Sequence, residues 1–102
     1  MADKKTIKIG FKNYVIEKPY EISETKGDYY GTVDYDASII KIADRFDTHQ
    51  KNSTFIHELL HCICSRFGLD ELNKDEHSID LLANGIYETI LDNPHIFLME
   101  DI

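Results

Sequence analysis

Nowhere in these 102 residues do about 18 apolar side chains run together, which excludes an ordinary membrane-spanning helix. The opening residues, Met1 to Thr6, are basic, but no apolar stretch of signal-peptide length follows them. Cysteine is scarce: only Cys62 and Cys64 occur. Two residues apart on a helix, their side chains diverge by about 200° and cannot bridge each other. A reducing, cytoplasmic location is therefore expected. Two prolines and five glycines are too few for a collagen-like or low-complexity chain. Cations are also short, with 11 Lys and Arg against 19 Asp and Glu and a net charge of -8. Such a chain repels phosphate backbones and anionic lipid, so neither nucleic acid nor membrane is an expected partner.

What is present suits one small domain. The length matches a single core, and 42% apolar with 11% aromatic residues supplies the material for it. Charge is segregated along the chain. Residues 1–26 hold six lysines and four acids, whereas residues 69–102 hold Lys74 alone against nine acids.

Residues 1–46 read as a sheet. Ile7 and Ile9, then Tyr14 to Ile16, are short β-branched and aromatic runs separated by Gly10 to Asn13, which predicts a hairpin. Tyr29 to Asp34 and Ser38 to Ile42 predict a second pair, with Gly31 marking a bulge or a close backbone approach. The expected class is α+β: a small twisted antiparallel sheet of about four strands, followed by helices.

The period then changes. Phe55, Ile56, Leu59, Leu60, Ile63 and Phe67 recur at helical spacing, placing a first helix within residues 47–68. Ser53 is one candidate start, Asp47 or Thr48 an earlier one, and Gly68 is the expected stop. A second helix, within residues 74–93, is outlined by Ile79, Leu82, Ala83, Ile86 and Ile90 and closed by Asp92-Asn93-Pro94. Residues 94–102 form a carboxyl-terminal segment with Ile96 to Met99 apolar enough to pack back on the body.

The chemistry is concentrated in the first helix, which contains His57-Glu58-Leu59-Leu60-His61, an HExxH motif. Residues four apart stack on one helical face, so both imidazoles can grip one cation, and zinc is the expected metal. Glu58, beside that face, is placed to act as general base toward a water activated by the ion. A third ligand is needed. Glu76 lies on the inward stripe of the second helix, and His77, about 100° round it, is the rival. Asp80 would stack beside Glu76 and accept the other imidazole proton of His57 or His61. Cys64 shares the histidine stripe but reads better as a small buried side chain than as a ligand. Tyr87, His49, Tyr35 and Tyr30 are candidate donors to a developing oxyanion, none singled out by spacing. His95 reads as an ordinary surface histidine.

Taken together, Thr54 to His61, Gly68-Leu69, Glu76 with Asp80, Leu82 to Tyr87 and Asp92-Asn93-Pro94 resemble the small HExxH zinc metallopeptidase-like proteins of phages and prophages. These are related to the gluzincins and, more distantly, to ImmA/IrrE-type peptidases. The amino-terminal half, with Ile7 to Gly10, Tyr14 to Ile16, Tyr30-Gly31 and Ser38 to Ile42, extends the likeness over nearly the whole chain. The resemblance implies a zinc-dependent peptide hydrolase of the bacterial host's cytoplasm, with a sheet backing the active-site helix. It favours Glu76 over His77, because a gluzincin's ligand glutamate is followed four residues later by an aspartate, as Glu76 is by Asp80. The interval from His61 to Glu76 is shorter than in larger gluzincins, which argues against a deep specificity pocket.

The resulting expectation is a minimal zincin. His57, His61 and Glu76 hold Zn²⁺, Glu58 is the base, and a peptide or protein substrate lies along a sheet edge formed by Ser38 to Ile42. The alternative is a zinc-stabilised phage protein that binds a partner and cleaves nothing.

Overall fold

The computed structural model describes residues 4–22 and 30–97. Its class is α+β: four strands forming one sheet, then helices. β1 (Lys5–Ile9) and β2 (Lys12–Glu17) are an antiparallel hairpin with Ile7 opposite Tyr14. Its turn is tighter than the sequence suggested, because Gly10 takes a left-handed φ of 64° and Lys12 and Asn13 already belong to β2. β3 (Gly31–Asp34) and β4 (Ile39–Ile42) form the second hairpin, with Val33 opposite Ile40.

The sheet is not antiparallel throughout, which corrects the sequence-based expectation. Strand order is β1-β2-β4-β3, and the central pair, β2 with β4, is parallel with Ile16 beside Ile40. The chain leaves β2, crosses to the far edge as β3, and turns back, so β4 enters the middle running the same way as β2. A parallel pair needs a crossover of a dozen or more residues. The interval from Glu17 to Ile39 supplies it. Alternating side chains within each strand are blind to this choice, because the same face is buried whichever neighbour a strand takes.

One face of the sheet buries Ile9, Tyr14, Ile40 and Ile42 against Cys62 of α1 (Thr48–Phe67), with Phe55, Leu59 and Ile63 at the margin. The earlier of the candidate starts for this helix is the one observed. Asp47 caps it by accepting from the Gln50 N–H at 2.8 Å, and Gly68 ends it at φ 74°. A short helix not foreseen from the sequence, α2 (Asp70–Lys74), leads to α3 (Glu76–Asp92). Asp75 caps α3 through the Ser78 N–H at 3.0 Å and the Ser78 hydroxyl at 2.7 Å, and these donors hold its carboxyl below the usual carboxylate range. Ile79 and Ala83 of α3 are fully buried. Pro94–Phe97 form α4, where Ile96 and Phe97 remain substantially exposed instead of packing back; Leu98 and Met99 lie outside the described residues.

Gly31 is a close approach, not a bulge. A Cβ there would sit 2.6 Å from Thr54 Cγ2, 3.0 Å from the Lys41 carbonyl oxygen and 3.2 Å from Glu58 Cγ. Its lack of a side chain lets β3 lie against the first half of α1. We expect Gly31→Ala to destabilise the fold by about 1–3 kcal/mol, the usual range for overpacking a tight contact, measurable by urea denaturation.

Burial also raises two acids in the core. The Cys62 thiol is pushed up to about 11 and the Tyr14 hydroxyl to about 12, chiefly by desolvation, with the two side chains hydrogen-bonded to each other. Both hold their protons longer in the folded chain than in the unfolded one, so stability is full below about pH 9 and declines as pH rises toward 11–12. Denaturation midpoints measured between pH 8 and 11 should fall over that window, by less in Cys62→Ala once its own offset is subtracted.

Candidate metal centre

The i and i+4 spacing of α1 brings the His57 and His61 rings to 5.0 Å between centroids. His57 and Glu58 are almost entirely buried, and the His61 side chain is 12% exposed. From the first turn of α3, Glu76 reaches across to both rings. Its Oε2 lies 3.1 Å from His57 Nε2 and its Oε1 lies 2.8 Å from His61 Nε2. Glu76 itself is largely exposed, so it stands at the mouth of the site instead of in the interior as the inward stripe implied. Asp75 caps α3, which makes Glu76 the first residue of that helix.

The opposite nitrogens are also occupied. His57 Nδ1 lies 3.4 Å from Asp80 Oδ1, and His61 Nδ1 lies 2.6 Å from Asn73 Oδ1. An acceptor beside Nδ1 selects the tautomer protonated there, which leaves the Nε2 lone pair pointing at the shared space. Two imidazole lone pairs and a carboxylate then face one another, with one ligand atom from each within 4.8 Å of the others. Like-polarity groups converge this way around a cation, and an N,N,O donor set suits zinc. The residues present therefore fit a divalent ion, held by His57, His61 and Glu76.

Two recesses meet at this point. One, of about 580 Å³, lies between β3 and α1 and is bordered by Gly31, Thr32, Tyr35, Glu58 and His61. The other, of about 530 Å³, has a polar wall that includes Gln50, Ser53, Asp80 and Asn84. His57 and Glu76 border both, so the centre lies between the two recesses.

Most of the candidate residues are accounted for. Glu58 opens onto the β3 recess beside the two histidines. Asp80 stands next to His57 as expected. His77 borders the polar recess but is not among the converging ligands. Cys64 is fully buried, and desolvation raises its thiol. Tyr87 is engaged with His49, hydroxyl to Nδ1 at 2.6 Å, and His95 is exposed on α4. Of the four oxyanion candidates, Tyr35 is the one beside Glu58; its hydroxyl bonds the Asn73 side chain, and burial raises it.

Asn73 is the residue that sequence reasoning missed. It lies on α2, whose existence the sequence did not reveal, and no spacing rule links it to a histidine twelve residues earlier. Set against protein-family models, curated proteins and solved structures, the chain matches none. The chemistry must be read from this geometry.

Groups drawn from two helices meet only in the folded chain, so a metal bound by them would be coupled to folding. Chelation should lower the thermal midpoint, and zinc should restore it. Asn73→Ala should weaken zinc binding about 10- to 100-fold in a competition titration, because His61 loses the acceptor that orients it.

Proposed function

We propose that this chain is a zinc-dependent metallopeptidase of minimal zincin form. The observation that carries the reading is the convergence of His57, His61 and Glu76 on one point, with the buried carboxylate of Glu58 opening onto the same cleft. The resemblance to phage- and prophage-encoded HExxH proteins supports it. A zinc ion bound there supplies Lewis acidity, making water a nucleophile near neutral pH and polarising the scissile carbonyl.

The chain's own groups supply the rest. An extended peptide adds to the edge of the sheet that borders the cleft. That edge is β3, not the Ser38 to Ile42 strand, because β4 lies between β2 and β3. Among the described residues no strand pairs with the outer side of β3, whose residues Gly31 to Val33 border the recess holding Glu58. Main-chain hydrogen bonds along such an edge hold a substrate without demanding particular side chains. Glu58 takes a proton from the attacking water and delivers it to the departing amine. The Tyr35 hydroxyl, bonded to Asn73 and kept protonated by burial, donates to the oxygen that gains negative charge. Asp80 and Asn73 keep both imidazoles in the tautomer the reaction requires.

A structural zinc site would have no use for Glu58, and that residue divides the two readings. Glu58→Gln should retain one zinc per chain and an unchanged fold while losing at least about 100-fold in hydrolysis of a fluorogenic peptide library. Equal turnover by the variant and the parent, or none by either, would leave the non-catalytic zinc-stabilised module as the correct account. Tyr35→Phe should lower kcat about 10- to 100-fold with little change in KM.

A further inference from the structure

The side of α3 turned away from the metal centre carries an apolar groove that the described residues leave open. Leu81, Leu82 and Ile86 line it together with Leu72 of α2 and Phe97 of α4, around a volume of about 760 Å³. Leu81 is 58% exposed, and Leu82 and Phe97 are each 44% exposed. Contiguous apolar surface of this kind marks an interaction site more often than scattered leucines do.

Gly85 adds an independent observation. It borders the groove in mid-helix, where glycine weakens a helix relative to alanine, yet a Cβ there would meet nothing within 4 Å. Packing among the described residues does not require the glycine. Its missing side chain leaves a notch through which another backbone can approach closely.

Charge selects the occupant. Glu88 and Asp92 follow Leu81 by seven and eleven residues and so share its flank of α3, while Asp70 and Glu71 precede Leu72 on α2. Between residues 69 and 97, Lys74 is the only lysine or arginine against seven acids. A second copy would set these acids against themselves, and residues 98–102 include two further acids, Glu100 and Asp101. The walls are helices and offer no free strand edge, so the fitting element is a helix laid in the groove.

We propose that this face docks an amphipathic helix of a partner protein, with an apolar stripe flanked by lysine or arginine. The site is separate from the metal centre and does not depend on catalysis. The test titrates the full zinc-loaded chain with three synthetic peptides about 18 residues long: a leucine stripe flanked by lysines, the same stripe flanked by glutamates, and the lysine peptide with serines replacing the leucines.

Saturable binding by the first peptide alone is expected, weakening about tenfold or more between roughly 50 and 300 mM salt. Leu81→Asp combined with Ile86→Asp should cut that affinity at least tenfold with an unchanged circular dichroism spectrum. Gly85→Ala should raise the thermal midpoint, whereas Gly85→Leu should fill the notch and weaken binding. Absence of saturable binding, equal binding by the serine peptide, or affinity unaltered in the double variant would overturn the proposal. So would a concentration-dependent dimer that the double variant disperses, or binding seen only after residues 98–102 are removed.

Discussion

The arrangement of this chain depends on one carboxylate meeting two imidazoles. Glu76 is the α3 residue that reaches both histidines of α1, and it does so with both of its oxygens, one to each ring. Without an ion, an imidazole N–H can donate to this carboxylate across the same short distances. With a divalent ion present, the same groups become its coordination sphere, and the attraction ties two helices together. An ion there would also offset the charge of Glu58, the one buried carboxylate beside the histidines among the described residues.

Local structure prepares that meeting. Asp47 and Asp75 each cap a helix, and each cap sets where a ligand falls: the first lets α1 run unbroken through both histidines, and the second places Glu76 in the opening turn of α3. The sheet provides the backing. Ile40 and Ile42 pack on the inner side of α1, and Gly31 lets the edge strand lie close to Thr54 and Glu58. The buried carboxylate of Glu58 opens onto the cleft. Asn73 links the parts further, since its side chain touches both His61 of the helix and Tyr35 of the turn between β3 and β4.

The two sides of α3 do different work in this scheme. The side toward α1 presents Glu76, Asp80, Ile79 and Ala83, combining ligation with packing. The groove side presents leucines and acids that the described residues do not cover. The acidic bias of the last third, which is excessive for one three-ligand site, is understandable if it also faces a basic partner. Among the described residues no helix is long and apolar enough to cross a membrane.

Much of this was legible from residue order, because the relevant information is local. Helical periodicity located α1 and α3, residues four apart placed His57 with His61 and Glu76 with Asp80, and Gly68 marked the end of α1. Alternation found four strands and the special position of Gly31. Which strands neighbour one another was not local information: a strand buries the same face whether its partner is parallel or antiparallel, so the central β2–β4 pair and the identity of the free edge emerged only on folding. The same holds for the contacts of Asn73 with His61 and Tyr35, and for the position of Glu76 at the mouth of the cleft. Side-chain spacing along one helix is set by its own backbone geometry, whereas contact between elements depends on loop paths and packing angles that no single segment encodes.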